Sequence, residues 1–185
     1  HADVLDVGSG PGHQAFELAQ VVGSQGHVEG VDSAEGSLET GTRRCSGLDN
    51  VSFTPGDAYK LPFETGTFDV AMSSQVFEYL DDAPKALGEM FRVLNPSGRV
   101  LLHGTCWGAL LWHSNDPDRM ARILKIWDGH LADPRMCETM AKKLGDTGFD
   151  GVSAEPIVHV ETSYDPSSMS AILTKFVSGY VVSQG

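Results

Sequence analysis

The sequence predicts an α/β protein built on a doubly wound, mostly parallel sheet. Three observations lead there: short apolar runs alternate with helix-period segments up to His103, a glycine-rich turn follows the first run, and aspartates follow the second and third. With 185 residues the chain holds one such domain with a real core and is too short for two. The expected organisation is a single domain over residues 1–185: a ligand-binding core over 1–105, a helical cap over 106–135 and a closing part over 136–185.

Residues 4–7 form a short apolar run ending in glycines, and residues 13–22 carry Ala15, Phe16, Leu18, Ala19 and Val22 at helical spacing. Strand, tight turn, helix is the reading. The pattern repeats with a strand over 27–31, a helix over 37–44, a strand over 51–54 and, entered from a turn at Gly66, a fourth strand over 68–73. Pro84 sits where the first turn of a helix tolerates a missing N–H, and residues 83–94 carry an apolar face of Leu87, Met90, Phe91 and Leu94. Asn95-Pro96-Ser97-Gly98 ends that helix, and 100–103 is a fifth strand. Such alternation implies right-handed crossovers and a sheet covered on both faces.

The remainder reads differently. Residues 107–131 are largely helical, aromatic-rich and interrupted at Asn115-Asp116-Pro117, an excursion suited to a lid. A helix over 135–144, a strand over 152–160 broken at Pro156 and a helical stretch over 166–182 follow. The first residues run straight into a strand with no helix to cover it, and the last stop inside a helical pattern. The expectation is a fragment whose closing strand pair is incomplete.

Thirteen Lys and Arg stand against 25 Asp and Glu, a formal charge of -12, so the surface repels a phosphate backbone and nucleic acid is a poor partner. No apolar run reaches membrane-spanning length, and the N-terminus lacks the layout of a secretory signal. Cys45, Cys106 and Cys137 form no close-spaced metal or redox pattern, and their odd number argues against a disulfide framework. A reducing cytoplasm and no bound metal are expected.

Asp6-Val7-Gly8-Ser9-Gly10-Pro11-Gly12 follows the first strand and opens the first helix, where a doubly wound sheet binds adenosine-containing ligands. Glycine is needed there because a Cβ would block close approach and penalise positive φ. A nicotinamide fingerprint wants its third glycine one residue later, where this chain has His13, and Pro11 removes a donor that a pyrophosphate would use. Asp32, followed by Ser33, ends the second strand, and a carboxylate there accepts both hydroxyls of a ribose. Dehydrogenases and methyltransferases share that feature, so it does not decide between them. Gly56-Asp57-Ala58 follows the third strand; Asp57 suits the exocyclic amine of an adenine, or is simply a turn aspartate.

Four stretches in order, VLDVGSGPG, GVDSAEGSLE, GDAYKLPFETGTFDVAMSSQVFEYLDD and ALGEMFRVLNPSGRVLL, resemble the Rossmann-like, seven-strand class of S-adenosylmethionine-dependent methyltransferases. Within it they are most similar to the ubiquinone and menaquinone C-methyltransferases and related small-molecule enzymes. The resemblance implies that Asp6, Gly8, Ser9, Gly10 and Gly12 form the methionine-side loop, that Asp32 with Ser33 holds the ribose, and that Asp57 with Ala58 holds the adenine. Ser73, Ser74 and Gln75 would wall the methionine and the transferring methyl. The chain departs from the family in having Ser97-Gly98 for Gly-Gly and Tyr79 for histidine. Arsenite methyltransferases place a cysteine where this chain reads Met72-Ser73-Ser74-Gln75, which argues against arsenic as the acceptor.

Such a reaction is an in-line displacement from an already activated sulfonium, and a general base helps only if the acceptor must lose a proton. His103, His113 and His130 are candidates, with Glu78 and Tyr79 beyond the fourth strand; each is equally well read as a packing or surface residue. Trp107, Trp112 and Trp127 line an apolar acceptor pocket or pack the cap. A small-molecule acceptor, apolar or aromatic, is the expected partner. The alternatives are a nucleotide-binding oxidoreductase and an inactive binding module on the same fold.

Overall fold

The computed structural model describes residues 1–163 and 165–185. Five parallel strands form one sheet in the order β3-β2-β1-β4-β5: β1 is Asp3–Val7, β2 His27–Asp32, β3 Val51–Pro55, β4 Phe68–Ser74 and β5 Leu94–His103. Helices α1 (His13–Val22) and α2 (Glu35–Arg44) join the first three strands, and α3 (Ala83–Val93) joins β4 to β5. The chain moves outward from β1 to β3, then returns to the other side of β1 for β4. Because each crossover has the same hand, reversing direction puts α3 on the opposite face from α1 and α2.

The central strand shows why its apolar run is unbroken: β1 pairs with β2 on one side and β4 on the other, and Val4, Leu5 and Val7 are all buried. Val4 faces α1, where it packs with Ala15, Ala19 and Val28. Leu5 and Val7 face α3, where they join Leu87, Met90 and Val93, and where Met136 and Met140 of α5 (Met136–Thr147) complete the core. Asp82 caps α3 by accepting from Lys85 N–H, and Pro84 occupies its first turn as expected.

Three elements differ from the sequence reading. Residues 95–98 do not stand outside the sheet: β5 begins at Leu94, opposite Phe68, and a bulge follows before Arg99 pairs with Val70. The excursion is less helical than its pattern, with a short 3-10 turn at Trp107–Ala109, irregular chain over 110–116 and α4 at Pro117–Asp128. The apolar segment 152–160 forms no strand; Ile157, Val158 and Val160 are largely exposed and five strands, not seven, are found among the described residues. Pro156 withholds a ladder donor in the middle of the segment, and the segment pairs with neither β3 nor β5, the two edges of the sheet. The chain then enters α6 (Met169–Ser183), which packs on α4. No helix among the described residues is long and apolar enough to cross a membrane.

The cysteines also depart from expectation. Cys106, just past β5, and Cys137, in the first turn of α5, form a disulfide with Cα atoms 5.6 Å apart, while Cys45 is free and buried. An odd count does not forbid a bridge when two of the three meet at the base of one excursion. Thiol titration of unfolded, unreduced protein should therefore count one cysteine per chain, against three after reduction. Leu87→Ala, which empties a fully buried position, should cost about 2–5 kcal/mol in denaturant unfolding.

Candidate functional site

The direction of winding reverses between β1 and β4, so the loops leaving their carboxyl ends diverge and open a crevice. A cleft of about 270 Å³ lies there. Val7 and Gly8 line it from β1, Val31, Asp32 and Ser33 from β2, and Gly56, Asp57 and Ala58 from β3. Gln75, Val76, Tyr79 and Leu80 line it from the chain beyond β4.

Gly8, Gly10 and Gly12 all take positive φ, 74°, 51° and 73°. Gly8 has a second reason to be glycine: a Cβ there would lie 2.3 Å from Val76 Cγ2, so the loops after β1 and β4 touch through it. Gly12 lies against the ring of Phe53, which also fills the space a Cβ would need at Gly30 and Gly41. Three glycines, one capping α1, one in β2 and one in α2, thus close around one aromatic ring of β3. That packing sets the height of the loop above the sheet.

Asp32 is tied into the loop by both oxygens. Gly10 N–H donates to Oδ2 and Ala34 N–H to Oδ1, each at 2.8 Å, while Gly8 and Ser9 donate to the Val31 carbonyl at 2.8 and 3.0 Å. A carboxylate oxygen accepts more than one bond, so Asp32 keeps capacity for ligand hydroxyls at the cleft. Asp57 accepts from Tyr59 N–H through Oδ1, an Asx turn, and is otherwise exposed to the cleft. Its loop is held by α3: Glu89 accepts from Leu61 N–H, and Arg92, paired with Glu89 at 2.7 Å, donates to the carbonyls of Leu61 and Phe63. The Arg92 hydrogen bonds, chiefly, hold the Glu89 carboxyl below its ordinary range.

Other residues singled out from sequence lie behind the cleft wall. Asp6 is fully buried with no hydrogen-bond partner for either oxygen, and Ser9 Oγ is buried and unpartnered as well. Burial, with the Asp32 charge as a smaller cause, pushes the Asp6 carboxyl up to about 7. Ser73 donates to the Val7 carbonyl at 2.8 Å and is buried in the sheet, while Ser74 Oγ meets His103 Nδ1 at 2.9 Å on the surface. Gln75 is the one non-glycine residue with positive φ, 57°, among the described residues, and its amide engages Thr105 Oγ1. The cleft also takes Val7, Val31, Gly56, Val76 and Leu80, which the sequence did not assign to the site; their signal was adjacency to the motifs alone.

Among the candidate bases, His103 and His113 are exposed. His130 lies in an aromatic cluster, 3.8 Å from Trp127, 5.4 Å from Tyr180 and 5.9 Å from Tyr79 between ring centres. Trp107 packs edge-on against Trp127. Among the described residues no group of three or more His, Cys, Asp or Glu is arranged to hold a metal ion.

A family model described as a methyltransferase domain matches residues 1–151. The chain belongs to this methyltransferase family. A demethylmenaquinone methyltransferase of Staphylococcus aureus is 40% identical over 97 residues, covering 52% of this chain and 40% of its own length. An arsenite methyltransferase of Aquipseudomonas alcaligenes is 32% identical over 179 residues, covering 79% of this chain and 51% of its own length. The chain thus spans about half the length of the curated relatives it matches. The crystal structure of a SAM-dependent methyltransferase from Aquifex aeolicus superposes with a TM-score of 0.63 at 23% identity, covering 80% of this chain and 71% of that one. The last likeness shows the fold: the five strands here take a methyltransferase arrangement.

Because the folded state holds the Asp6 proton up to about pH 7 and the unfolded state releases it near 3.8, stability should fall as pH rises through that window. The expected slope is about 1.4 kcal/mol per pH unit. Asp6→Asn should flatten it, measured by denaturant unfolding between pH 4 and pH 8.

Proposed function

We propose that this methyltransferase-family chain binds S-adenosylmethionine in the cleft and passes its methyl group, by in-line displacement, to a small apolar or aromatic acceptor seated beneath the cap. The observation that carries the reading is the convergence on one cleft of Gly8, Asp32 and Asp57, from the ends of three different strands. The residues fit such a ligand. Gly8 leaves no room for a side chain, Asp32 offers acceptors to a ribose, Asp57 has a free oxygen for an exocyclic amine, and Asp6 is a buried acid without a partner behind the loop.

The cofactor supplies an activated methyl on a sulfonium. What the protein's own residues contribute is placement: Val31, Val76 and Leu80 keep water from the cleft, and Gln75 and Tyr79 stand at its β4 side towards the cap. Holding donor and acceptor in line contributes up to roughly 7–11 kcal/mol of barrier reduction in favourable cases, so no dedicated base is required of an acceptor that ionises readily. A surface charge of -12 favours a small acceptor over nucleic acid. Arsenite is disfavoured, since residues 72–75 carry no thiol and Cys106 and Cys137 are joined to each other. A nicotinamide ligand is disfavoured by Pro11 and His13 in the loop.

Calorimetric titration with S-adenosylhomocysteine, and separately with NAD, tests this. Binding in the micromolar range for the first and none for the second is expected. Asp32→Asn, which removes the charge while keeping an acceptor for the backbone, should weaken it by about tenfold or more. No binding of S-adenosylhomocysteine by folded protein would defeat the proposal and favour an inactive module on this fold; tighter binding of NAD would favour an oxidoreductase.

A further inference from the structure

Glu78 is the buried acid that the cofactor site does not use. It belongs to a 3-10 turn, Phe77–Tyr79, and is fully buried, with neither carboxyl oxygen hydrogen-bonded. Three connections meet at this residue. Its main-chain carbonyl accepts from Ala132 N–H at 2.9 Å and Asp133 N–H at 3.1 Å, both in the linker between α4 and α5. Its carboxyl lies against Gly104, where a Cβ would come within 3.4 Å of Oε2 and 2.8 Å of Met136 Cε. The next residue, Tyr79, lines the cofactor cleft and touches His130 of the aromatic cluster.

We propose that Glu78 is the positioning residue that locks the cap onto the cofactor cleft, its carboxyl fixing Trp107 and the exit of β5 while its carbonyl fixes the α4–α5 linker. The inference rests on reading residues 106–135 as an acceptor cap. The indole N–H of Trp107 is buried without a partner and is among the groups acting on the Glu78 carboxyl, so each is the natural partner of the other. Burial raises the affinity of Glu78 for its proton; the main-chain N–H groups of Glu78 and Thr105, the His103 charge and the Trp107 indole offset that only in part. The titratable groups facing it are His103 from the end of β5 and Tyr79 from its own turn, whose phenol is itself pushed up by burial and by Glu78. From α5 the facing residue is Met136, which is uncharged. The carboxyl therefore gives up its proton less readily than one in water. On ionising, it must gain water or loosen its surroundings.

The test is hydrogen exchange across residues 104–136 and intrinsic tryptophan fluorescence of the full chain from pH 5 to pH 9, for wild type, Glu78→Gln and Glu78→Ala. Exchange is normalised to the intrinsic pH dependence, and affinity for S-adenosylhomocysteine is measured in parallel. Glu78→Gln mimics the neutral acid and should hold the linker amides of Ala132 and Asp133 protected throughout. Wild type should lose at least tenfold of that protection, with a shift in tryptophan emission, in a step above the ordinary carboxylate range. Glu78→Ala should be loose at every pH. The proposal is overturned if Glu78→Gln shows the same step as wild type, or if wild type shows none. Should Glu78→Ala not fold, the wild-type and Glu78→Gln comparison decides alone. A failure to bind S-adenosylhomocysteine would defeat the cofactor reading without altering the exchange result, so the two failures are separable.

Discussion

The contact between Gly8 and Val76 is the constraint on which the site depends. It joins the loop after β1 to the loop after β4 at the place where the sheet changes direction, and there is no space between them for even a methyl group. Everything at the cleft is referenced to that contact. The backbone of Gly8 and Ser9 reaches across to Val31, which aligns the end of β2, and Gly10 reaches Asp32 itself. Opening the contact would part the glycine loop from the chain that leads to the turn carrying Tyr79, and would strain the bonds by which that loop holds Val31 and Asp32.

A second layer of the same logic lies beneath. Phe53 sits between Gly12, Gly30 and Gly41, so α1 and α2 come as close to the sheet as glycine backbones allow. On the opposite face, the Glu89–Arg92 pair reaches out of α3 to hold the chain that follows Asp57. Helix α3 therefore packs the core through Leu87 and Met90 and also shapes the Asp57 side of the cleft through its polar edge. The site is a by-product of how the two faces are packed, which is why its parts come from residues far apart in the chain.

The first 105 residues were largely legible because local pattern and tertiary environment agree there. Apolar runs became buried parallel strands, Pro84 fell in a first helical turn, and the glycine loop fell at the reversal of the sheet. Legibility failed where partners outside the local sequence decide the outcome. Residues 152–160 are apolar like a strand but pair with neither free edge of the sheet, and the sequence of 95–98 reads as a helix stop although strand pairing begins before it. The disulfide depends on two positions that only the fold brings together. At the cleft, Asp32 and Asp57 lie where their positions after β2 and β3 put them, whereas Gly30, Gly41 and Phe53 carry no signature and matter only as a packed set.

The bridge between Cys106 and Cys137 has a consequence for how such a protein changes over generations. It fastens the two ends of the excursion to each other, 5.6 Å apart between Cα atoms, so everything between them hangs from one fixed doorway in the scaffold. Insertions or deletions in the irregular chain over 110–116 leave that doorway, and with it the end of β5, where they were. Variation in the length of that chain is then absorbed inside one covalently bounded stretch, without renegotiating the packing that keeps the cleft in register.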